Sequence, residues 1–361
     1  MKVLVGLSGG VDSSVVACLL KEQGHEVIGA TMSIWDKDSL LNVKNQNGGC
    51  FSPHEEEDIK SAQALCDKLG IEYHVIDCTE QYKKIVLENF KQEYLAGRTP
   101  NPCVICNSKI KFETLPNGAR SKGIEFDKFA TGHYARISYN ELTKRYQLQR
   151  GIDYKKDQSY FIYQLSQEQL SKIIMPLGDI TKDKVREIAR KYDLSVSDKV
   201  DSQDFYNGDI NDIIQNPPLK GNFVDKNGKV LGTHSGIWNF TIGQRRGLGI
   251  SADRPLYVIG LDKDKNEVIV GYAEDGATSQ ILATNIKWSS ISNLQDNSKI
   301  RVKVRSAQEP IDAIFVNKDN DTAIISFIDT QKAIASGQSV VFYDDNDYVL
   351  GGGIIENNVN K

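Results

Sequence analysis

The 361-residue sequence contains no uninterrupted apolar run of the roughly 18–20 residues that a membrane-spanning helix requires, so a helical membrane protein is excluded. It also lacks a dominant charge. Forty-four Lys and Arg against 48 Asp and Glu leave a formal net charge of −4, and RNA affinity would have to come from local basic patches. The N-terminal MKVLVGLSGG has neither the apolar core nor the small-residue cleavage site of a secretory leader; it reads as a first β-strand, and a cytoplasmic location is expected. Only six cysteines occur (Cys18, Cys50, Cys66, Cys78, Cys103, Cys106), with none after Cys106, which fits reduced thiols, ligands or catalysis better than a disulfide framework. What is present is globular: 40% apolar and 25% charged residues, in a chain long enough for two or three domains at a soft average of roughly 150 residues each.

The first 135 residues alternate strand and helix patterns. Apolar runs at Lys2–Leu7, Glu26–Met32, Tyr73–Asp77 and Phe126–Thr131 predict strands, and helical spacing covers Ser13–Gln23, Glu55–Leu69 and Glu80–Ala96. This order predicts an α/β domain with a doubly wound parallel sheet, whose ligands lie beyond the carboxyl ends of the strands, where Ser8, Met32 and Gly132 fall. A further helix is expected between Ile180 and Leu194. After Asp201 turn residues crowd the sequence (Pro217, Pro218, Gly221, Asn227, Gly228), predicting a small β-rich unit, and after about residue 278 alternating segments such as KIRVKVR and SVVFYD predict a small barrel or sandwich. The expected domains are 1–205, 206–278 and 279–361.

Ser8-Gly9-Gly10-Val11-Asp12-Ser13-Ser14 follows the first strand and opens a helix. Two glycines let backbone N–H groups approach an anion, while hydroxyls and the helix N-terminus add donors and positive potential. The string resembles the PP-loop of ATP pyrophosphatases. It lacks the Gly-Lys-Ser/Thr ending of a P-loop, which argues against γ-phosphoryl transfer.

The second constellation is Arg98-Thr99-Pro100-Asn101-Pro102-Cys103-Val104-Ile105-Cys106-Asn107, with Lys109 and Lys111 close behind. Cys-x-x-Cys spacing lets two sulfurs face one centre, and the neighbouring cations favour thiolates, which are both nucleophiles and ligands. Half of a structural zinc site is the bland alternative, although no second Cys pair completes it.

These motifs, with Gly132-His133-Tyr134-Ala135-Arg136, Lys156-Asp157-Gln158-Ser159-Tyr160-Phe161, Asp201-Ser202-Gln203-Asp204 and Ile242-Gly243-Gln244-Arg245-Arg246-Gly247-Leu248-Gly249, stand in the order found in tRNA-specific 2-thiouridylases, and the resemblance spans almost the whole chain. It implies a PP-loop domain, a small central β-rich domain and a C-terminal β-barrel. It also implies binding of tRNA, ATP and Mg²⁺, adenylation of O2 of the wobble uridine, and replacement of that oxygen by sulfur from sulfide, a cysteine desulfurase or a sulfur carrier. A monomer or weak dimer is expected, with no membrane partner.

Carried over by motif, the resemblance assigns Gly6, Leu7, Ser8, Gly9, Gly10, Val11, Asp12, Ser13, Met32 and Gly132 to the nucleotide. Asn101, Pro102 and Cys103 would contact the target base, Lys156, Asp157, Gln158 and Arg305 would contact tRNA, and Cys106 takes the catalytic cysteine position with Cys103 and Asp12.

The chain departs from this pattern. Cys103 stands where the family has Asp, and Tyr206 stands where a second cysteine receives the persulfide, so that relay is missing. Two mechanisms remain. In one, Cys103, Cys106 and a third thiol hold a [4Fe-4S] cluster with one iron open for hydrosulfide. Cys50, in the glycine-flanked Gly48-Gly49-Cys50-Phe51 loop between strand and helix, is the choice for that third ligand, whereas Cys18, Cys66 and Cys78 read as core residues. In the other, Cys103 and Cys106 form a persulfide and disulfide pair. An adenylating ligase acting on a small molecule and a catalytically idle tRNA-binding protein are the competing functions. Basic segments at Lys144-Arg145, Lys155-Lys156, Arg245-Arg246 and Lys299-Arg301-Lys303-Arg305 are candidate phosphate contacts.

Overall fold

A computed structural model describes residues 1–36, 49–197, 199 and 205–358. The Asp201–Asp204 motif and Gly48 lie outside them. In chain order the first unit comprises β1 (Lys2–Gly6), α1 (Val11–Glu22), β2 (Glu26–Ser33), α2 (Glu55–Leu69), β3 (Glu72–Asp77), α3 (Thr79–Tyr82), α4 (Glu88–Leu95), α5 (Pro102–Ile105), α6 (Leu115–Ser121), β4 (Lys128–Ala130), the hairpin β5 (Ala135–Asn140) and β6 (Arg145–Arg150), α7 (Gln167–Lys172), β7 (Ile173–Ile174) and α8 (Lys182–Lys191).

The sheet order is β3-β2-β1-β4-β7 and every pairing is parallel. Val3, Leu4 and Val5 have no exposed surface because helices cover both faces, the condition that makes a parallel strand continuously apolar. Strand order reverses between β1 and β4. A crevice therefore opens at their carboxyl ends, where the Ser8–Ser13 loop and Gly132 meet. α2 begins with four acidic residues, Glu55 to Asp58, that suit its positive end, and it stops at Gly70, whose φ of 60° is left-handed.

The predicted Glu80–Ala96 helix is one run of three pieces: α3, a π-helical turn at Lys83–Leu87, and α4. A second π-helical stretch, Cys106–Thr114, joins α5 to α6 and begins at the second cysteine of the Cys-x-x-Cys motif. Apolar periodicity cannot separate π from α turns; π insertions recur at functional sites.

The central unit has α9 (Ile210–Ile214) and β8 (Gly221–Val224), β9 (Val230–His234), β10 (Tyr257–Asp262) and β11 (Glu267–Gly271), in sheet order β10-β11-β8-β9. Trp238, Phe223, Phe240, Val258 and Val268 form its core. The last unit, β12 (Ala277–Trp288), β13 (Ser298–Lys303), β14 (Ile311–Asn317), β15 (Ala323–Lys332), β16 (Ser339–Tyr343) and β17 (Val349–Asn358), is a closed antiparallel barrel. Closure leaves no strand edge, which settles the choice between barrel and sandwich.

The barrel packs on the first unit and shares its core, contributing Val341, Tyr343 and Val349. Arg98 pairs with Glu93 at 2.7 Å and with Glu356 of the barrel. Gln338 donates to the carbonyls of Thr99 and Pro100 at 3.0 and 2.9 Å, so the barrel holds the chain just ahead of Asn101. No helix among the described residues is long and apolar enough to cross a membrane.

Candidate active site

The loop after β1 is fixed by its own hydroxyls. Ser13 Oγ accepts from the Ser8 amide at 3.2 Å and lies 3.3 Å from Ser8 Oγ, while Ser14 Oγ donates to the Gly10 carbonyl at 2.8 Å. Gly9 has φ +66°, and a Cβ there would stand 2.6 Å from the Asp58 carbonyl oxygen, so both conformation and space demand glycine. Gly132 is required by proximity: a Cβ would lie 2.9 Å from the Ser13 amide nitrogen. The loop, the start of α1 and the end of β4 thus form one cradle.

The nucleotide residues do not all face that cradle with side chains. Leu7 and Val11 are core residues, and the Leu7 amide and carbonyl are both occupied, by Ala30 O and by Thr31 Oγ1, each at 2.8 Å. Gly6 packs against Phe129, and Met32 is half-buried near the end of β2. Asp12 is turned toward two residues to which sequence reasoning gave no role. Lys182 Nζ donates to its two oxygens at 2.8 and 2.9 Å, and Tyr134 Oη donates to Oδ1 at 2.8 Å. A weak signal existed: Lys182 is the first residue of α8, where the helix dipole disfavours a cation and an acid partner relieves it. Lys199 is a third omission, donating to the Gly9 carbonyl at 3.0 Å and to Asp58 at 2.6 Å.

A short series of contacts leads from this cradle to the cysteines. Beside Gly132, His133 accepts at Nδ1 from Thr131 Oγ1 at 2.8 Å and donates from Nε2 to Asn107 Oδ1 at 3.2 Å, the Asn107 amide nitrogen being directed at the Phe161 carbonyl. Burial, with help from the Lys111 charge, pushes His133 down to about 3, so it is a neutral, satisfied ring rather than a proton donor to nucleotide. Asn107 adjoins Cys106.

Asn101 caps α5 by accepting from the Val104 amide at 3.4 Å, and Pro102 occupies the first turn, so Cys103 and Cys106 fall three residues apart on one helical run. Cys106 is buried, Cys103 is half-buried and Cys50 is exposed. Burial pushes the Cys106 thiol up to about 12 against the pull of Lys111. Cys50, Cys103 and Cys106 all lie close enough to act electrostatically on Lys111 and Tyr82; burial would lower the Lys111 ammonium, but the three sulfurs hold it above its ordinary value. Cys18, Cys66 and Cys78 are core residues whose thiols burial raises to about 11, 12 and 12. Among the described residues no group of three or more His, Cys, Asp or Glu side chains is gathered closely enough to hold a metal ion, Cys50, Cys103 and Cys106 included.

Tyr206, at the position of the missing cysteine, packs its ring 6.2 Å from that of Phe51 and donates to Asp212 at 2.8 Å. Phe51 is the residue after Cys50, and its amide donates to the Phe205 carbonyl at 2.9 Å. Cys50 therefore lies beside the place from which the second cysteine is absent.

The expected RNA contacts divide. The Asp157 side chain has no exposed surface, and its carboxylate accepts from Arg150 Nε, the Gly151 and Ser159 amides and Ser159 Oγ at 3.0–3.2 Å, so it organises the loop from inside instead of meeting RNA. Gln158 is held by Tyr134, accepting from its amide at 3.1 Å, and Lys156 is half-buried. Lys303 is also withdrawn: only 2% exposed, it faces Asp157 at 3.7 Å, because the outer face of β13 is covered where the barrel docks. Arg305 is exposed and donates to the Ala333 carbonyl. Arg245 lines a surface cavity of about 430 Å³ with Leu248, Asp253 and Arg254.

Comparison with known proteins agrees with this architecture. Family models described as tRNA methyl transferase HUP domain, tRNA methyl transferase PRC-barrel domain and aminomethyltransferase beta-barrel domain match residues 1–206, 210–272 and 278–355. A protein of Endomicrobium trichonymphae named tRNA-specific 2-thiouridylase MnmA is 48% identical over 357 residues, 98% of this chain and 99% of its own. The chain belongs to the tRNA-specific 2-thiouridylase family. Thiouridylases of the same name from Clostridium botulinum (strain Alaska E43 / Type E3) and Acetivibrio thermocellus are 45% and 43% identical over 362 residues, each across 98% of this chain and at least 98% of its own length. Membership of the thiouridylase family thus rests on all three structural units.

Proposed function

We propose that this chain is a tRNA 2-thiouridylase that adenylates O2 of the wobble uridine with ATP and replaces that oxygen by sulfur. The observation that carries the reading is the continuous path from the phosphate cradle, through Gly132, His133 and Asn107, to Cys106. Uridine O2 is a poor leaving group. Attack of O2 on the α-phosphorus forms a C2–O–P linkage and expels pyrophosphate; a sulfur nucleophile then adds at C2, and AMP leaves with the original oxygen. Loop amides and the Lys182 ammonium would stabilise charge on the departing pyrophosphate. Asp12 and the loop hydroxyls offer hard oxygen donors suited to Mg²⁺. We further infer that it works as a monomer or weak dimer in the cytoplasm.

For the sulfur step, Cys50, Cys103 and Cys106 are the thiols that would hold a [4Fe-4S] cluster. The Cys-x-x-Cys spacing on one helical run, and the position of Cys50 beside Tyr206, support this set. Such a cluster would supply an open iron for sulfide brought as such or by a desulfurase or carrier. Cys103 and Cys106, three residues apart on one helical run, support persulfide and disulfide chemistry as the second reading.

The test is purification without oxygen, measurement of iron and zinc, and assay of ATP- and sulfide-dependent 2-thiouridine formation on unmodified tRNA. Iron is expected, with activity abolished in Cys106→Ala and strongly reduced in Cys103→Ala and Cys50→Ala. An iron-free preparation fully active with persulfide donors rejects the cluster. Pyrophosphate release without tRNA, and no thiolated product, rejects the thiouridylase reading itself.

A further inference from the structure

Tyr154 is a large aromatic residue left 53% exposed, in the loop that leads into Lys156-Asp157-Gln158. Exposed tyrosines ordinarily rotate freely, but this one is held from two directions. Its hydroxyl donates to Asp347 Oδ2 at 2.9 Å, and the Arg150 guanidinium carbon lies 4.3 Å from the ring centroid. Arg150 is itself only 2% exposed and is fixed by Asp157, Glu309 and Asp347 at 3.2–3.4 Å. The ring is thus braced by a cation that cannot move away, while more than half of its surface remains open to solvent.

The charges around it suit a polyanion. Lys155 is exposed and Lys156 is half-buried directly after the ring, and Arg136 acts on Tyr154 electrostatically. The acids nearby are engaged. Asp347 also faces Arg301 at 3.5 Å, and Asp153 accepts from the Lys155 and Lys182 amides at 3.2 and 3.0 Å. A rigid aromatic surface with cations at its rim is how proteins stack an unpaired base while holding its phosphates.

We propose that Tyr154 is a stacking platform for an unpaired nucleotide of the bound tRNA, with Arg150 bracing the ring. The assignment rests on the thiouridylase reading above. It differs from a phosphate contact in one measurable respect: removing a stacked ring weakens binding without changing the number of counterions released, whereas removing a lysine reduces the salt slope.

The experiment measures binding of unmodified tRNA to the full chain at several salt concentrations, for wild type, Tyr154→Ala, Tyr154→Leu, Tyr154→Phe and Lys155→Ala, with circular dichroism and thermal melting to establish folding. Tyr154→Ala and Tyr154→Leu should weaken binding about 5- to 100-fold at every salt concentration, with an unchanged slope of log affinity against log salt. Tyr154→Phe should stay close to wild type, and Lys155→Ala should flatten the slope. Tyr154→Leu, which keeps apolar bulk at the Arg150 contact, decides the matter if Tyr154→Ala is poorly folded. Wild-type affinity in a folded Tyr154→Leu overturns the platform and leaves the thiouridylase reading standing. Failure of the wild-type chain to bind tRNA overturns both.

Discussion

Lys182 sets its ammonium 2.8 and 2.9 Å from the two carboxylate oxygens of Asp12, joining the first residue of α8 to the phosphate loop. With only 6% of its surface exposed, Lys182 has little water to replace that partner. When triphosphate and Mg²⁺ enter the cradle, each member of the pair gains a partner of opposite charge, and the ammonium becomes available to phosphate oxygens. Lys182→Met is therefore expected to reduce tRNA-dependent pyrophosphate release by about 10²- to 10³-fold, the usual effect of losing one preorganised donor. Asp12→Asn should lower stability by about 2–3 kcal/mol, less than for a fully buried pair because a quarter of the Asp12 side chain is exposed. Pyrophosphate release and urea unfolding measure the two effects separately.

Gly9 and Gly24 both have positive φ, +66° and +80°, but only Gly9 is crowded. A Cβ at Gly24 meets nothing within 4 Å, whereas one at Gly9 collides with the Asp58 backbone. Gly24→Ala should incur only the left-handed backbone penalty, about 1 kcal/mol. Gly9→Ala must also push α2 away, and should lose more stability together with most ATP affinity. Thermal unfolding and ATP titration of both variants check this, and equal losses of stability would remove the steric argument.

His133 supplies a pH dependence whose sign is fixed by its neutrality. In the unfolded chain it takes up a proton near pH 6.5; in the folded chain it does not until about 3. The native state binds fewer protons across that window, so the His133 contribution is fully present above pH 6.5 and is lost as pH falls, by at most about 1.4 kcal/mol per pH unit. Urea midpoints between pH 4.5 and 7 should fall more steeply with acid for wild type than for His133→Asn. Parallel curves would mean that the buried ring takes up a proton as readily as an exposed one.

Much of this was legible in the sequence because it depends on local pattern. The apolar runs that became β1 to β4, the Glu55–Leu69 helix and the alternation of the barrel strands each carry their period within a few residues. The phosphate loop was legible for the same reason: Gly9 and Ser13 act within five residues of Ser8. Residues whose meaning lies in a distant partner were not. Lys182 is 170 residues from Asp12, and Arg150 meets Asp347 and Glu309 across a domain contact that no spacing discloses. Lys303 is instructive because it was expected to contact phosphate with Lys299 and Arg301, yet docking of the barrel buries it while Lys299 stays exposed.

The loop at 153–158 is tied to the phosphate site at both ends, and this predicts that tRNA and ATP report on each other. Asp153 Oδ2 accepts from the Lys182 amide at 3.0 Å, and Lys182 holds Asp12; Gln158 accepts from the Tyr134 amide at 3.1 Å, and the Tyr134 hydroxyl also holds Asp12. A nucleic acid that orders this loop therefore orders the two groups that hold the Asp12 carboxylate. Saturating tRNA should tighten ATP binding by about 5-fold or more, the lower end of typical coupling, and ATP must tighten tRNA by the same factor. The double variant Asp153→Ala, Gln158→Ala should lower that factor, because both side-chain tethers are gone while Lys182, Tyr134 and the backbone bond from the Gln158 amide to the Tyr134 carbonyl at 2.9 Å remain. Calorimetric titration of each ligand with and without the other supplies the two factors. A factor unchanged in the double variant would show that the coupling, if present, travels through the cysteine helix and His133 instead.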